Sequence, residues 1–245
     1  MSEQDAALAA LGRAGVVDAI SWAWSAAARR TALDYDPTTG HDQVWLGLTA
    51  HKLFCNRLDR VFHCGDFSVA PDEERVGRDV LGAGLLSGEL DTMPSLRPGL
   101  VERADDHSSP GWRFDRWSWL ITSFPFEGVD RISWQSKTPT KQRAAGRRPS
   151  ADQISLFSLT EDDIDDSVLF VAHAINSDAT SSEVHLGRPH TTEGGGRPWT
   201  WRVRLEPAPL ERGSGMVRPV VGTRAVPQGV SDAEVQLKRV AGTGE

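Results

Sequence analysis

The sequence predicts an α+β protein: a helical N-terminal domain, a basic linker, a small antiparallel β meander and a disordered C-terminal tail. Three observations lead there. Residues 5–30 are rich in alanine and leucine, three apolar runs separated by turn-forming residues follow Ser167, and glycine, proline and charge dominate after Pro207. The resulting boundaries are 1–135 for a mainly helical domain with a tryptophan-rich core and 136–166 for a flexible linker. Residues 167–206 form a small β-rich domain or a sheet extension, and 207–245 a disordered tail.

Each element has a local reason. In the first stretch Leu8, Leu11, Ile20, Trp22 and Trp24 supply apolar contacts, while Gly12 and Gly15 split it into two helices or loosen a single one. The segment DYDPTTGHD breaks the helix, because Pro37 and Gly40 bring turn geometry. Asp42 then caps a helix whose Val44, Leu48, His51, Cys55, Leu58 and Phe62 recur at three- and four-residue spacings and predict its buried face. Asp72, Glu73 and Glu74 suit the start of a further helix running toward Leu86, where they face unpaired amide hydrogens. Residues 94–111 read as loop. In WRFDRWSWLITSF, strand and helix periods compete, and either one buries much of the tryptophan.

Residues 135–152 carry Lys137, Lys141, Arg143, Arg147 and Arg148, two prolines and no large apolar side chain, so they read as a linker. Beyond an acidic run at Glu161–Asp163, Asp165 and Asp166, SVLFVAHAI, SEVHLGRP and WTWRVRLEP read as three strands. NSDATS and TTEGGGRP supply the turns, and Trp199, Trp201, Val203 and Leu205 alternate in the last strand.

Composition narrows the function classes. Twenty-seven basic against 34 acidic side chains give a formal charge of -7, which disfavours coating nucleic acid by bulk electrostatics and leaves only local DNA contact. The N-terminus has no basic segment leading into an apolar run, and no stretch approaches the length of a membrane span, so a cytoplasmic protein without a membrane partner is expected. Cys55 and Cys64 do not resemble a secreted disulfide framework and read as reduced.

One short stretch stands out. Gln153, Ile154, Ser155, Leu156 and Phe157 (QISLF) closely resemble the motif by which bacterial polymerases, mismatch-repair proteins and other ligands bind the replicative sliding clamp. The resemblance implies that the glutamine hydrogen-bonds at the rim of a pocket while leucine and phenylalanine enter apolar subsites; isoleucine stands where leucine is commoner. The physical logic holds without the name: a short peptide needs a few large apolar anchors in a preformed cavity and a polar group to fix its register. Lys137, Lys141, Arg143, Arg147 and Arg148 are candidates for touching DNA near the clamp. The competing reading makes Ile154, Leu156 and Phe157 an edge strand, or a patch that docks the linker on the body, and leaves the basic run as a solvated linker.

Other chemistry-bearing residues have structural explanations beside the functional ones. His51 and Cys55, with His63 and Cys64 further on, are zinc-compatible types at a spacing that matches no tight motif. His173 and His185 are expected opposite each other across the NSDATS turn, with His190 nearby, in reach of a metal or a proton. Asp34, Asp36, His41 and Asp42 invite a metal-dependent nuclease reading, but are also what a turn and a capped helix require. Phosphate-loop, dinucleotide, HExxH and GxSxG patterns are absent. No catalytic residue, metal or cofactor is therefore assigned.

The alanine, arginine and glycine bias, together with YDPTTGHDQVWLGLTAHKLFCNRLDRVFHCGDF and SKTPTKQRAA, resembles an uncharacterised family of small proteins from high-GC bacteria. That resemblance implies partners in mobile or toxin–antitoxin-like loci and carries over no active residue. The expected function is a noncatalytic interaction protein that brings a replication, repair or defence activity to the clamp, or occupies the clamp pocket. The alternatives are an antitoxin-like protein neutralising a cognate toxin or defence protein, and a metal-dependent nuclease.

Overall fold

The computed structural model describes residues 1–70, 73, 75–107, 109–146, 168–191 and 196–210. Three long helices come first. Ser2 and Asp5 close a capping box on α1 (Glu3–Arg13), and Gly15, in the left-handed region at φ 75°, turns the chain into α2 (Val16–Asp34). The split therefore falls at Gly15, and Gly12 stays inside α1. Asp42 caps α3 (Gln43–Phe62) by accepting from the Trp45 amide at 2.8 Å, and His63 ends it in the left-handed conformation. Two short helices, α4 (Arg78–Gly82) and α5 (Glu89–Thr92), follow. Of the acidic residues expected to start a helix toward Leu86, Asp72 and Glu74 lie outside the described residues, and Glu73 precedes α4.

A six-stranded sheet in the order β1 to β6 lies against these helices. Its strands are β1 (Glu102–Arg103), β2 (Gly111–Phe114), β3 (Trp117–Ser123), β4 (Val168–Ile175), β5 (Ser182–Pro189) and β6 (Trp199–Arg204). WRFDRWSWLITSF resolves as the β2–β3 hairpin, turning at Asp115 with φ 54°. The strands β4–β6 form the antiparallel meander, but β4 also pairs with β3, in parallel, from Ser118↔Val168 to Ser123↔His173. The strands before and after the basic segment thus belong to one mixed sheet within one compact unit, Met1–Arg212.

Both sheet faces are covered. On one, Ile20, Trp24, Phe54, Leu58 and Phe62 from the helices meet Trp112, Trp119, Ile121, Leu169, Val171 and Leu186. On the other, Phe124, Ile132, Trp134 and Ala144–Ala145 cover Leu120, Val168, Phe170, Ala172 and Trp199. That second cover is the connection from β3 to β4, including α6 (Pro139–Gly146), which corrects the expectation of an unpacked linker over those residues. Ala144 and Ala145 are small enough to seat the helix without any large apolar side chain.

Two further expectations change. Of the stripe expected on α3, Leu58 and Phe62 are buried, but Val44 and Leu48 are 74% and 56% exposed, and Leu46, Ala50, Phe54 and Val61 complete the buried face. Both stripes have helical spacing, and contact with α2 and the sheet selects between them. In β6 the alternation breaks at a bulge beside Arg188 and Pro189, so Trp201 and Val203 face the long helices while Trp199 joins the opposite core. Gly187 permits this: a Cβ there would lie 2.9 Å from Trp199 Cε3 and 2.5 Å from the Trp201 carbonyl oxygen. At the end of the described chain the Ala208 amide donates to Ser25 Oγ at 3.0 Å, so residues just past Pro207 lie on α2. From Glu211 onward the expected tail is outside the described residues.

Candidate functional site

The parallel pair has its carboxyl ends at Ser123 and His173. His173 is fully enclosed, its ring 4.7 Å from that of Trp24 and 5.3 Å, edge-on, from that of Phe54. Its Nε2 lies 3.0 Å from Nδ1 of His51 on α3. A hydrogen bond between imidazoles requires one ring to donate and the other to accept, so at least one of the two is neutral. Burial favours neutrality in both. Desolvation, reinforced by Lys141 and Lys52, pushes His51 down to about 4, and desolvation together with His51, Lys141 and Lys137 holds His173 well below its ordinary value.

The β3–β4 connection brings two lysines to this end of the sheet. Lys137 Nζ donates to the Ser123 carbonyl at 2.6 Å, and the Phe124 amide donates to the His173 carbonyl at 3.2 Å. Lys141, on α6, acts electrostatically on both histidines and on Cys55. Desolvation lowers both lysine pKa values, and Lys137 lowers that of Lys141 further. Beside the histidine pair opens a cleft of about 450 Å³ bordered by Gln43, Ser123, Phe124, Phe126, His173 and Asn176.

The other face holds a separate arrangement. His185 Nε2 lies 3.2 Å from Glu183 Oε2, and Glu183 Oε1 accepts from the Glu127 amide at 2.6 Å. The register aligns His185 with Ala172 and His173 with Val184, so the two histidines expected to face each other lie on opposite faces. His190 is exposed, and its amide donates to the Pro198 carbonyl.

The remaining candidates perform structural work. Asp36 Oδ1 accepts from the Thr38 amide at 2.9 Å, His41 Nδ1 accepts from the Asp36 amide at 3.1 Å, and Asp34 pairs with Arg30 at 2.7 Å. Together with the Asp42 cap, these contacts occupy the carboxylates on which the nuclease reading relied. Cys55 and Cys64 are free thiols that burial pushes up to about 11, and Cys64 Sγ donates to the Val101 carbonyl at 3.3 Å. Among the described residues no group of three or more His, Cys, Asp or Glu side chains is placed to hold a metal ion.

The basic strip is divided. Lys137 donates to the Ser123 carbonyl and Lys141 is half-buried, while Arg143 is exposed, 3.3 Å from His107 Nδ1 and 4.0 Å from Asp106. Arg147 and Arg148, and the whole of Gln153, Ile154, Ser155, Leu156 and Phe157, lie outside the described residues. Sequence reasoning missed the pairing of His51 with His173, which are 122 residues apart, and the parts of Ser123 and Gln43. No short-range pattern marks such a meeting; the placement of Ser123 and His173 follows from the parallel pairing alone.

No known protein family, curated protein or solved structure matches this chain. No single helix among the described residues is long and apolar enough to cross a membrane; α1 and α2 pass that test only as a pair bent by 77°.

Proposed function

We propose that this is a noncatalytic interaction protein that binds the bacterial sliding clamp through Gln153–Phe157, connecting a replication, repair or defence activity to the clamp or excluding other ligands from it. The observation that carries the reading is the pentapeptide itself, matched at all five positions, within the connection between two adjacent strands of the sheet. Gln153 follows Gly146 by seven residues, so the motif starts within about 25 Å of the end of α6. A clamp bound there stands close to exposed Arg143, and to Arg147 and Arg148 in the intervening sequence, which suits a salt-dependent contact with DNA near the clamp.

Leu156 and Phe157 each contribute about 1.5–3 kcal/mol of transfer free energy when fully buried. After ordering costs, that range supports affinity no tighter than about micromolar. Calorimetric titration of the full chain into a bacterial sliding clamp tests the proposal, beside a Leu156→Ala, Phe157→Ala double variant. Micromolar binding that the double variant loses is the expected result; absence of binding by the intact chain refutes it. An antitoxin-like role is the second reading, and it predicts a copurifying partner whose binding survives both substitutions.

A further inference from the structure

We infer that the cleft bordered by His63 at the end of α3 and by the α4–α5 segment binds a phosphomonoester with an aliphatic body, its phosphate held by Arg75 and Arg97. The inference is independent of clamp binding. The cleft measures about 810 Å³, within the range of small-molecule sites, and Arg75, Arg78 and Arg97 all line it. None of its described lining residues is acidic. In a chain whose formal charge is -7, three arginines around one concavity set this place apart from the average surface.

The arginines differ in what they already hold. Arg78 pairs with Asp91 at 2.5 Å, both side chains being exposed. The guanidinium groups of Arg75 and Arg97 have no hydrogen bond or ion pair among the described residues, and the Asp79 carboxylate, which lies against Gly77, pairs with neither. Two uncommitted guanidiniums supply two positive charges and two forks of N–H donors. A phosphomonoester dianion balances both charges and has oxygens enough for both forks, whereas a single carboxylate leaves one guanidinium unbalanced.

The remaining walls define the body of the ligand. Leu81 and Leu96 are buried, Leu90 and Met93 half-buried, and together they give the cleft an aliphatic lining that the flexible Met93 can adjust. No aromatic side chain stands among the described lining residues to stack on a base, so an alkyl body suits these walls better than a nucleotide does.

Calorimetric titration of the full chain with octyl phosphate, octanoate and inorganic phosphate, at low salt, in a phosphate-free buffer and below the concentrations at which the amphiphiles form micelles, tests the assignment. Saturable binding of octyl phosphate is expected, tighter than that of inorganic phosphate by roughly tenfold or more because the alkyl chain leaves water, and tighter than that of octanoate. Arg75→Gln and Arg97→Gln should each weaken it by roughly tenfold, since each removes hydrogen bonds to a charged group. Arg131→Gln, exposed in the segment that covers the opposite face of the sheet, should change it less than about twofold. Melting curves of the unliganded variants separate loss of binding from loss of fold. Absence of saturable octyl phosphate binding overturns the site, as does equal weakening by Arg131→Gln and Arg97→Gln. Octanoate binding as tightly as octyl phosphate overturns the phosphate assignment, and equal affinity for octyl and inorganic phosphate overturns the role given to the aliphatic walls.

Discussion

The two faces of the sheet are buried by opposite means. The α1–α3 side is regular: α2 brings Ala19, Ala23, Ala26 and Ala27 into the core beside Trp22 and Trp24, and each helix satisfies its own backbone. The other side is covered by turns, two single-turn segments and the short α6, whose backbone groups are not all paired among themselves. Tryptophan resolves that deficit. The Trp134 indole donates to the Pro198 carbonyl at 2.6 Å, and the Trp199 indole to the Val129 carbonyl at 2.8 Å, so the rings that fill this core also satisfy its irregular backbone. The long-helix side uses the same device once, where the Trp22 indole donates to the Glu89 carbonyl of the short α5 at 3.2 Å, so donating side chains accompany the less regular cover on either face.

Large-to-small changes should cost similar amounts on both faces. Phe54→Ala and Trp134→Ala are each expected to destabilise by about 3–5 kcal/mol in denaturant titrations. A Trp134→Ala cost below about 1 kcal/mol would mean that the irregular cover contributes little to the fold. The assignment of faces on α3 gives the next contrast: Leu46→Ala should cost about 2–5 kcal/mol and Val44→Ala no more than about 0.5, and a reversal would move the buried stripe.

A smaller difference isolates the indole bonds. Trp134→Phe should exceed Trp24→Phe by roughly 0.5–1.5 kcal/mol, because the first removes a buried hydrogen bond and leaves the Pro198 carbonyl only the His190 amide, while Trp24 Nε1 has no partner to lose. Equal costs would reduce Trp134 to a space-filling role.

Histidines on both faces should make stability fall with acid, because burial lowers His63 and His185 as well as the His51–His173 pair. His51 and His173 have folded values below the ordinary 6.5, so both states are neutral at higher pH and these groups then add no pH dependence. As pH falls through 6.5 the unfolded chain takes up protons first, and stability declines down to about pH 4, the folded value of His51. Glu3 adds to the acid loss. Burial opposes its ionisation, but hydrogen bonds from Arg188 and Trp201 outweigh that and hold the carboxyl below its usual value, so its contribution vanishes as the pH falls through the folded value. A His51→Gln variant should show a shallower decline between pH 6.5 and 4 than the parent; an unchanged slope would dissociate the histidine pair from stability.

Much of the fold was legible where a local signal was sufficient. The helix cap at Asp42, an interruption near Gly12 and Gly15 and the three strands after Ser167 follow from residue chemistry over a few positions. What depended on distant partners was not legible. Either stripe of α3 could have been buried, the parallel pairing of β3 with β4 has no turn to announce it, and a one-residue difference in hairpin register sent His173 and His185 to opposite faces. The bulge that redirects Trp199 hides in a regular alternation for the same reason. As for the candidate site, the sequence supplied its residue types but not their meeting: His51 and His173 were each weighed with the wrong neighbours.

Displacement of a fluorescent clamp-binding peptide from the sliding clamp reports whether QISLF occupies the peptide pocket itself. The intact chain should displace the probe at micromolar concentration, and Leu156→Ala, Phe157→Ala should not. Failure of the intact chain to displace the probe, or equal displacement by the double variant, would rule out clamp binding through these five residues.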